Sequence, residues 1–177
     1  MLIFGLTRVF KRNKGKCLIT SVSFRLSKIF TPDIKYSDLE TELSHVSDVN
    51  LFAVRGAVIS VRARKLPDPS VLGSAGSFFK NPTVDTEKSK EIIRLDPHAP
   101  LYPQTDGRWK ISAARLIDRC DLKGVRIGRV GTYPNQPLVI VNYGGATGKE
   151  VLDFSKKIID RVNAKFGVRL EPEVNIV

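Results

Sequence analysis

The stretch PLVIVNYGGATGKEVLDFSKKIIDRVNAKFG, residues 137–167, holds the two clearest elements of the chain. Its opening run, Pro137 to Asn142, is short, continuously apolar and largely β-branched, which predicts a strand buried on both faces. From Thr147 the spacing changes: Val151, Phe154, Ile158, Val162 and Phe166 recur on one face of a helix. Thr147 and Glu150 form a capping box at its start, and Gly167 supplies the C-cap, so the predicted helix covers 147–166. After it, residues 168–177 read as a closing strand.

Upstream, the signals are weaker and mixed. A further strand is expected at 125–132, and helices at 112–121, with Ala113, Leu116, Ile117 and Cys120 as buried stripe, and at 86–94. Between those helices DPHAPLYPQTDGRWK is a proline-rich connection. A helix over 48–64 places Leu51, Val54, Ala57, Val58 and Val61 at helical spacing, with Ser47 or Asp48 as N-cap, and ends at Leu66-Pro67. Residues 17–26 alternate as a half-buried strand, preceded by a basic turn around Gly15. Helices and strands alternate without the regular repeat of a doubly wound fold, and no internal repeat is visible, so the fold class is α+β.

The chain of 177 residues is 42% hydrophobic and 27% charged, which excludes a disordered, collagen-like or coiled-coil protein. No apolar stretch approaches the roughly 20 residues that span a bilayer. The opening MLIFGLTRVFKRNKGKC places its charges after the apolar start, the reverse of a secretory signal, so the expected location is the cytoplasm. Cys17 and Cys120 form neither a metal-ligand spacing nor a disulfide framework and are expected to be reduced and buried, with no metal bound. Of the net charge of +11, the first thirty residues contribute +7. The excess is an N-terminal feature, without aromatic platforms or a known motif beside it, and no nucleic-acid surface is expected.

Chemistry points first to KLPDPSVLGSAGSFFKNP, residues 65–82, with three prolines, two glycines and three serines. It looks structureless, and loops of this length in compact domains usually carry function. Its small residues let a backbone approach a ligand and leave the Ser77 hydroxyl exposed, yet the spacing is not GxSxG. With only His45 and His98 in the chain, a Ser-His-Asp hydrolase has little support, and neither GxGxxG nor GxxxxGK[ST] occurs. Lys65, Lys80 and Lys123 flank loops or turns, as convergent cations for a phosphate do, although a solvated lysine is the commoner case. Glu171 and Glu173 share a face if LEPEV is extended, able to serve as acid or charge stabiliser; Pro172 between them marks an edge.

Five blocks in order carry a resemblance: KLPDPSVLGSAGSFFKNP, YP-x-x-DG-x-x-K (102–110), LID-x-C-x-LKG-x-x-IG (116–128), QPLVIVN and KFGVRLEPEV. Together they resemble the UDP-N-acetylenolpyruvoylglucosamine reductase family, flavoenzymes of peptidoglycan precursor synthesis. The resemblance implies an NADPH-dependent reduction in which FAD passes a hydride to an enolpyruvyl double bond and an acid of the enzyme protonates the adjacent carbon. Matched by motif, Ser77 is that proton donor, and Glu173 assists at the enolpyruvyl carboxylate and carbanion. Lys65, Asn81 and Lys123 match positions that hold the UDP diphosphate, and Tyr102, Lys110 and Gln136 match positions that line the substrate pocket.

Departures accompany the matches. Gly5-Leu6-Thr7-Arg8 stand where the family carries Tyr-Arg-Asp-Ser, Tyr133 where it often has histidine, and Arg129 where an acidic residue is common. The resemblance places the family's flavin-binding domain, with a catalytic arginine, upstream of Met1. Residues 1–66 are then expected to be a remnant of that domain, in which Leu18, Val22 and Phe24 lack their sheet, and 67–177 the substrate-binding domain. The partner is UDP-N-acetylenolpyruvoylglucosamine; the alternative is a UDP-sugar-binding fragment without activity of its own.

Overall fold

A computed structural model describes residues 20–176. Ile34–Val177 form one compact unit, and the residues up to Asp33 fall in another. The expected strand at 17–26 is not found: residues 20–26 hold no helix or strand, and Val22, Phe24 and Leu26 are 64%, 72% and 83% exposed. Alternation alone does not make a strand, because its N–H and C=O groups need a neighbour. Cys17 to Ile19, Leu18 among them, and the basic turn lie outside the described residues.

The larger unit begins with two helices, α1 (Ser37–Leu43) and α2 (Leu51–Lys65). The cap of α2 is neither Ser47 nor Asp48. Asn50 Oδ1 accepts from the Phe52 and Ala53 amides at 3.1 and 3.0 Å, and Asp48 braces it by accepting from Nδ2 at 2.9 Å. The asparagine does the capping because its oxygen reaches two orphan donors of the first turn. Ala57 and Val61 are buried on α2, whereas Leu51 is 65% exposed.

A four-stranded antiparallel sheet has the order β1 (Gly73–Ser77), β7 (Gln136–Asn142), β6 (Val130–Tyr133), β5 (Arg126–Ile127). The single strand expected at 125–132 is thus a hairpin, turned at Gly128, whose φ of +61° suits a residue without Cβ. β7 bears out the apolar run: it is an inner strand with Val139, Ile140 and Val141 all buried. At Gly131, opposite Val141, a Cβ would stand 2.6 Å from the Val125 carbonyl oxygen, so this crossing admits glycine alone. A second sheet has the order β2 (Thr83–Val84), β4 (Trp109–Ile111), β3 (Leu101–Pro103), and β3 and most of β4 come from the stretch expected to be a connection.

Three more helices complete the unit: α3 (Thr86–Leu95), α4 (Ala113–Asp118) and α5 (Gly148–Phe166). α5 follows the expectation closely, with the reciprocal Thr147–Glu150 capping box and Gly167 left-handed at φ +64°. Phe154, Ile158, Val162 and Phe166 of α5 meet Ile140, Val130, Leu116, Ile117 and Ile92 in one core. Cys120 joins it, and burial pushes its thiol above the ordinary value. The expected closing strand is reduced to one bridge, Phe79 to Pro172, because proline has no N–H to extend a ladder. No helix among the described residues is long and apolar enough to cross a membrane, and no group of three His, Cys, Asp or Glu among them could hold a metal.

Among the described residues one charged side chain is buried. Asp96, 1% exposed, ends α3 and receives Arg115 of α4 in a fork, Nε at 2.6 Å and Nη2 at 2.8 Å. Those hydrogen bonds hold its carboxyl below the ordinary 3.8, against the opposing pull of burial. Its contribution to stability is therefore complete above pH 3.8 and is lost as pH falls through the lowered value. Asp96→Ala should cost about 3 kcal/mol in urea unfolding at neutral pH. The melting temperatures of wild type and Asp96→Asn should converge on acidification below that window, and a gap that stays constant in thermal melts would contradict the assignment.

Candidate functional site

The start of β7 collects the polar residues. β1 pairs with β7 through Gly73–Asn142, Ser74–Val141 and Ser77–Val139, so β1 carries one residue more than its partner between Ser74 and Ser77. Gly76 takes up that extra residue at φ +75°, with open space around it, so its conformation rather than its size demands glycine. A bulge of this kind re-aims the side chain beside it. Ser77 emerges exposed, while Phe78 and Phe79 turn inward and meet edge to face, centroids 5.0 Å apart.

Past the bulge the chain pairs with the C-terminal segment. The Lys80 amide donates to the Glu171 carbonyl at 2.9 Å, and the Glu173 amide donates to the Phe78 carbonyl at 2.8 Å. The Glu173 backbone is thereby held opposite Phe78, the residue that follows Ser77, although 95 positions separate the two in sequence. Lys80 Nζ and Glu171, 3.2 Å apart and exposed, form an ion pair outside the bridge. That commits Glu171 to Lys80, whereas Glu173 makes no ion pair among the described residues.

Three further expected residues approach the same end of β7. Gln136 is its first residue. Asn135 Nδ2 donates to the Arg64 carbonyl at 2.8 Å, which joins the β6–β7 turn to the end of α2, where Lys65 stands. Gly124 lies against Pro134 of the same turn, with a Cβ position 3.5 Å from the Pro134 Cα, and so carries the exposed Lys123 there. Lys65 is engaged already: its ammonium donates to Asp38 Oδ2 at 2.5 Å and to the Tyr36 hydroxyl at 3.1 Å. Burial opposes its charge, but these two bonds prevail and raise its pKa, while the hydrogen bond from Lys65 lowers that of Asp38.

Asn81 stands between this group and the second sheet. Its Oδ1 accepts from the Ala113 amide at 2.9 Å, an orphan donor of the first turn of α4, which leaves Nδ2 as the outward group. Tyr102 and Lys110 are direct cross-strand partners on β3 and β4, both exposed, with Thr83 of β2 on the other side of Lys110. No hydrogen bond or ion pair among the described residues joins Tyr102 or Lys110 to Ser77, Glu173 or Lys65. Two concavities on the described residues, one of 280 Å³ along Gly73–Ala75 and Ile140–Asn142 and one of 230 Å³ by Cys120 and Lys165, are lined by none of the eight expected residues.

The fold defines an α+β domain in which Ser77 ends an edge strand beside β7 and the segment carrying Glu173 pairs with the residues that follow it. Residues 68–177 match the model of the UDP-N-acetylenolpyruvoylglucosamine reductase C-terminal domain, and the chain belongs to that family. The reductase of Cupriavidus pinatubonensis is 44% identical over 166 residues, covering 93% of this chain and 49% of that protein. That of Chromobacterium violaceum is 44% identical over 168 residues, with the same coverage of 93% and 49%. A Xylella fastidiosa reductase is 42% identical over 171 residues, 95% of this chain and 49% of its own. The chain spans about half the length of the curated relatives it matches.

Sequence reasoning missed the partners that hold these side chains: Asp38 and Tyr36 on Lys65, Ala113 on Asn81, and the bulge at Gly76. Asn81 yields a direct test. Asn81→Ala strands the Ala113 amide and should cost about 1 kcal/mol in unfolding experiments, whereas Asn81→Asp keeps the acceptor and should melt within a degree or two of wild type, on the order of 0.5 kcal/mol either way. Equal losses in both variants would refute the role of Oδ1.

Proposed function

We propose that this chain is the substrate-binding and proton-donating part of a UDP-N-acetylenolpyruvoylglucosamine reductase, acting in the cytoplasm in peptidoglycan precursor synthesis. Beyond family membership, the backbone pairing of 78–80 with 171–173 supports this reading, since it joins the segment that follows Ser77 to the segment that carries Glu173. Reduction of an enolpyruvyl double bond takes a hydride at one carbon and a proton at the other. The Ser77 hydroxyl delivers that proton at about hydrogen-bond distance, roughly 3 Å. Glu173 acts at the carboxylate and carbanion beside it. Lys65, Lys123 and the outward Nδ2 of Asn81 supply donors for a diphosphate, and Gln136, Tyr102 and Lys110 line the sugar nucleotide's path.

FAD, recharged by NADPH, is the hydride source that the reading assumes. Neither of two open concavities, of 230 and 280 Å³, fits a flavin, since both fall short of the roughly 300–1,000 Å³ that enclose a drug-sized ligand. The share assigned to this chain is therefore confined to binding and protonation. The same observation favours a second reading, a UDP-sugar-binding module without turnover of its own.

Two measurements separate the readings. Binding of UDP-N-acetylenolpyruvoylglucosamine to the full chain, followed by calorimetry, should be weakened about tenfold by Asn81→Asp, which sets a carboxylate against the diphosphate. Ser77→Ala should leave that affinity within about twofold, yet abolish NADPH oxidation wherever a flavin-bearing preparation shows it, by about 10²-fold or more. Retained turnover in Ser77→Ala would remove the proton-donor role, and unchanged binding in Asn81→Asp would remove the diphosphate site.

A further inference from the structure

Lys65 does not stand open to a ligand. Its ammonium has three donors, of which the Asp38 carboxylate and the Tyr36 hydroxyl take two at 2.5 and 3.1 Å, and the Tyr36 ring lies 5.2 Å from Nζ. The pair is partly withdrawn from water, the side chains of Lys65 and Asp38 being 35% and 28% exposed. A diphosphate arriving at this ammonium meets a carboxylate already on it, and like charges at such distance repel.

The helix that carries Asp38 is loosely made at that end. α1 has seven residues, its N-cap Tyr36 contributes no side-chain cap bond, and Leu43 is its one buried residue. Its last turn is secured separately: Glu42 pairs with Arg64 at 2.6 Å and accepts from the Ser60 hydroxyl at 2.6 Å. The first turn is tied to α2 through Asp38 and Tyr36, so it can release Lys65 while the last turn stays in place.

We propose that Asp38 is an internal competitor for the anion site, holding the Lys65 ammonium until a diphosphate displaces it. The inference rests on the reading of Lys65 as a diphosphate ligand. On this account the carboxylate lowers affinity and screens out weaker anions, since a single charge displaces Asp38 less readily than a diphosphate does.

The test is calorimetric titration of the full chain with UDP and with inorganic pyrophosphate. Asp38→Asn should bind both about three- to fivefold more tightly than wild type, the upper part of the range an ion pair of this exposure supports. Lys65→Gln should weaken both. Glu42→Gln, which removes the other tie between α1 and α2, should lower the melting temperature and leave affinity within about twofold, a pattern that a merely structural Asp38 would share. Should Asn disturb α1, Asp38→Ser gives the same comparison. If Lys65→Gln weakens binding while Asp38→Asn and Asp38→Ser do not strengthen it, the competition is refuted and the diphosphate role of Lys65 stands. If Lys65→Gln has no effect, that role fails and the inference with it. Binding that appears in Asp38→Asn and is undetectable in wild type supports the proposal, and binding absent from both overturns it.

Discussion

The register of β7 between β1 and β6 is the constraint on which the rest depends. A strand buried on both faces cannot slip by one residue without sending Val139, Ile140 and Val141 to the wrong sides, so its pairing is strongly specified. The pairing Ser77–Val139 then fixes where β1 ends, and the bulge at Gly76 fixes how Ser77 leaves the sheet. Past that point two backbone hydrogen bonds join 78–80 to 171–173. A firm sheet thus hands over to a slight bridge at the place where the chemistry is proposed.

Electrostatics follow the same division between firm and slight. Asp96 is buried and takes a forked pair from the partly exposed Arg115, and loss of Arg115 would strip a buried carboxylate of that partner. Lys80 with Glu171 is exposed on both sides and contributes little to stability. Lys65 with Asp38 lies between these cases, protected enough to form and open enough to be exchanged.

What could be read from the sequence was what local physics decides. α5 was legible because an apolar stripe, a capping box and a glycine C-cap agree over 19 residues, and β7 because a short apolar run needs two covered faces. β1 was not, since Gly-Ser-Ala-Gly-Ser has no strand propensity and is extended only because β7 offers it partners. The three-residue strands β3 and β4 are too short to show a period, and α1 is a single short helix of polar residues. For the candidate site, motifs proposed the residues but could not show their partners: Asp38 and Lys65 lie 27 positions apart and meet only because α1 packs on α2. Residues 20–26 show the converse, a strand pattern without a strand, because alternation states a need for partners and does not supply them.

The claim that the C-terminal segment is held against residues 78–80 can be tested most directly by residue-resolved amide hydrogen exchange. The account predicts that the Lys80 and Glu173 amides, which donate across the bridge, exchange more slowly than that of Ile176, and that Gly76→Ala, by disturbing the bulge, releases both. Exchange of Lys80 and Glu173 at the rate of an unstructured peptide would contradict it and separate Glu173 from Ser77.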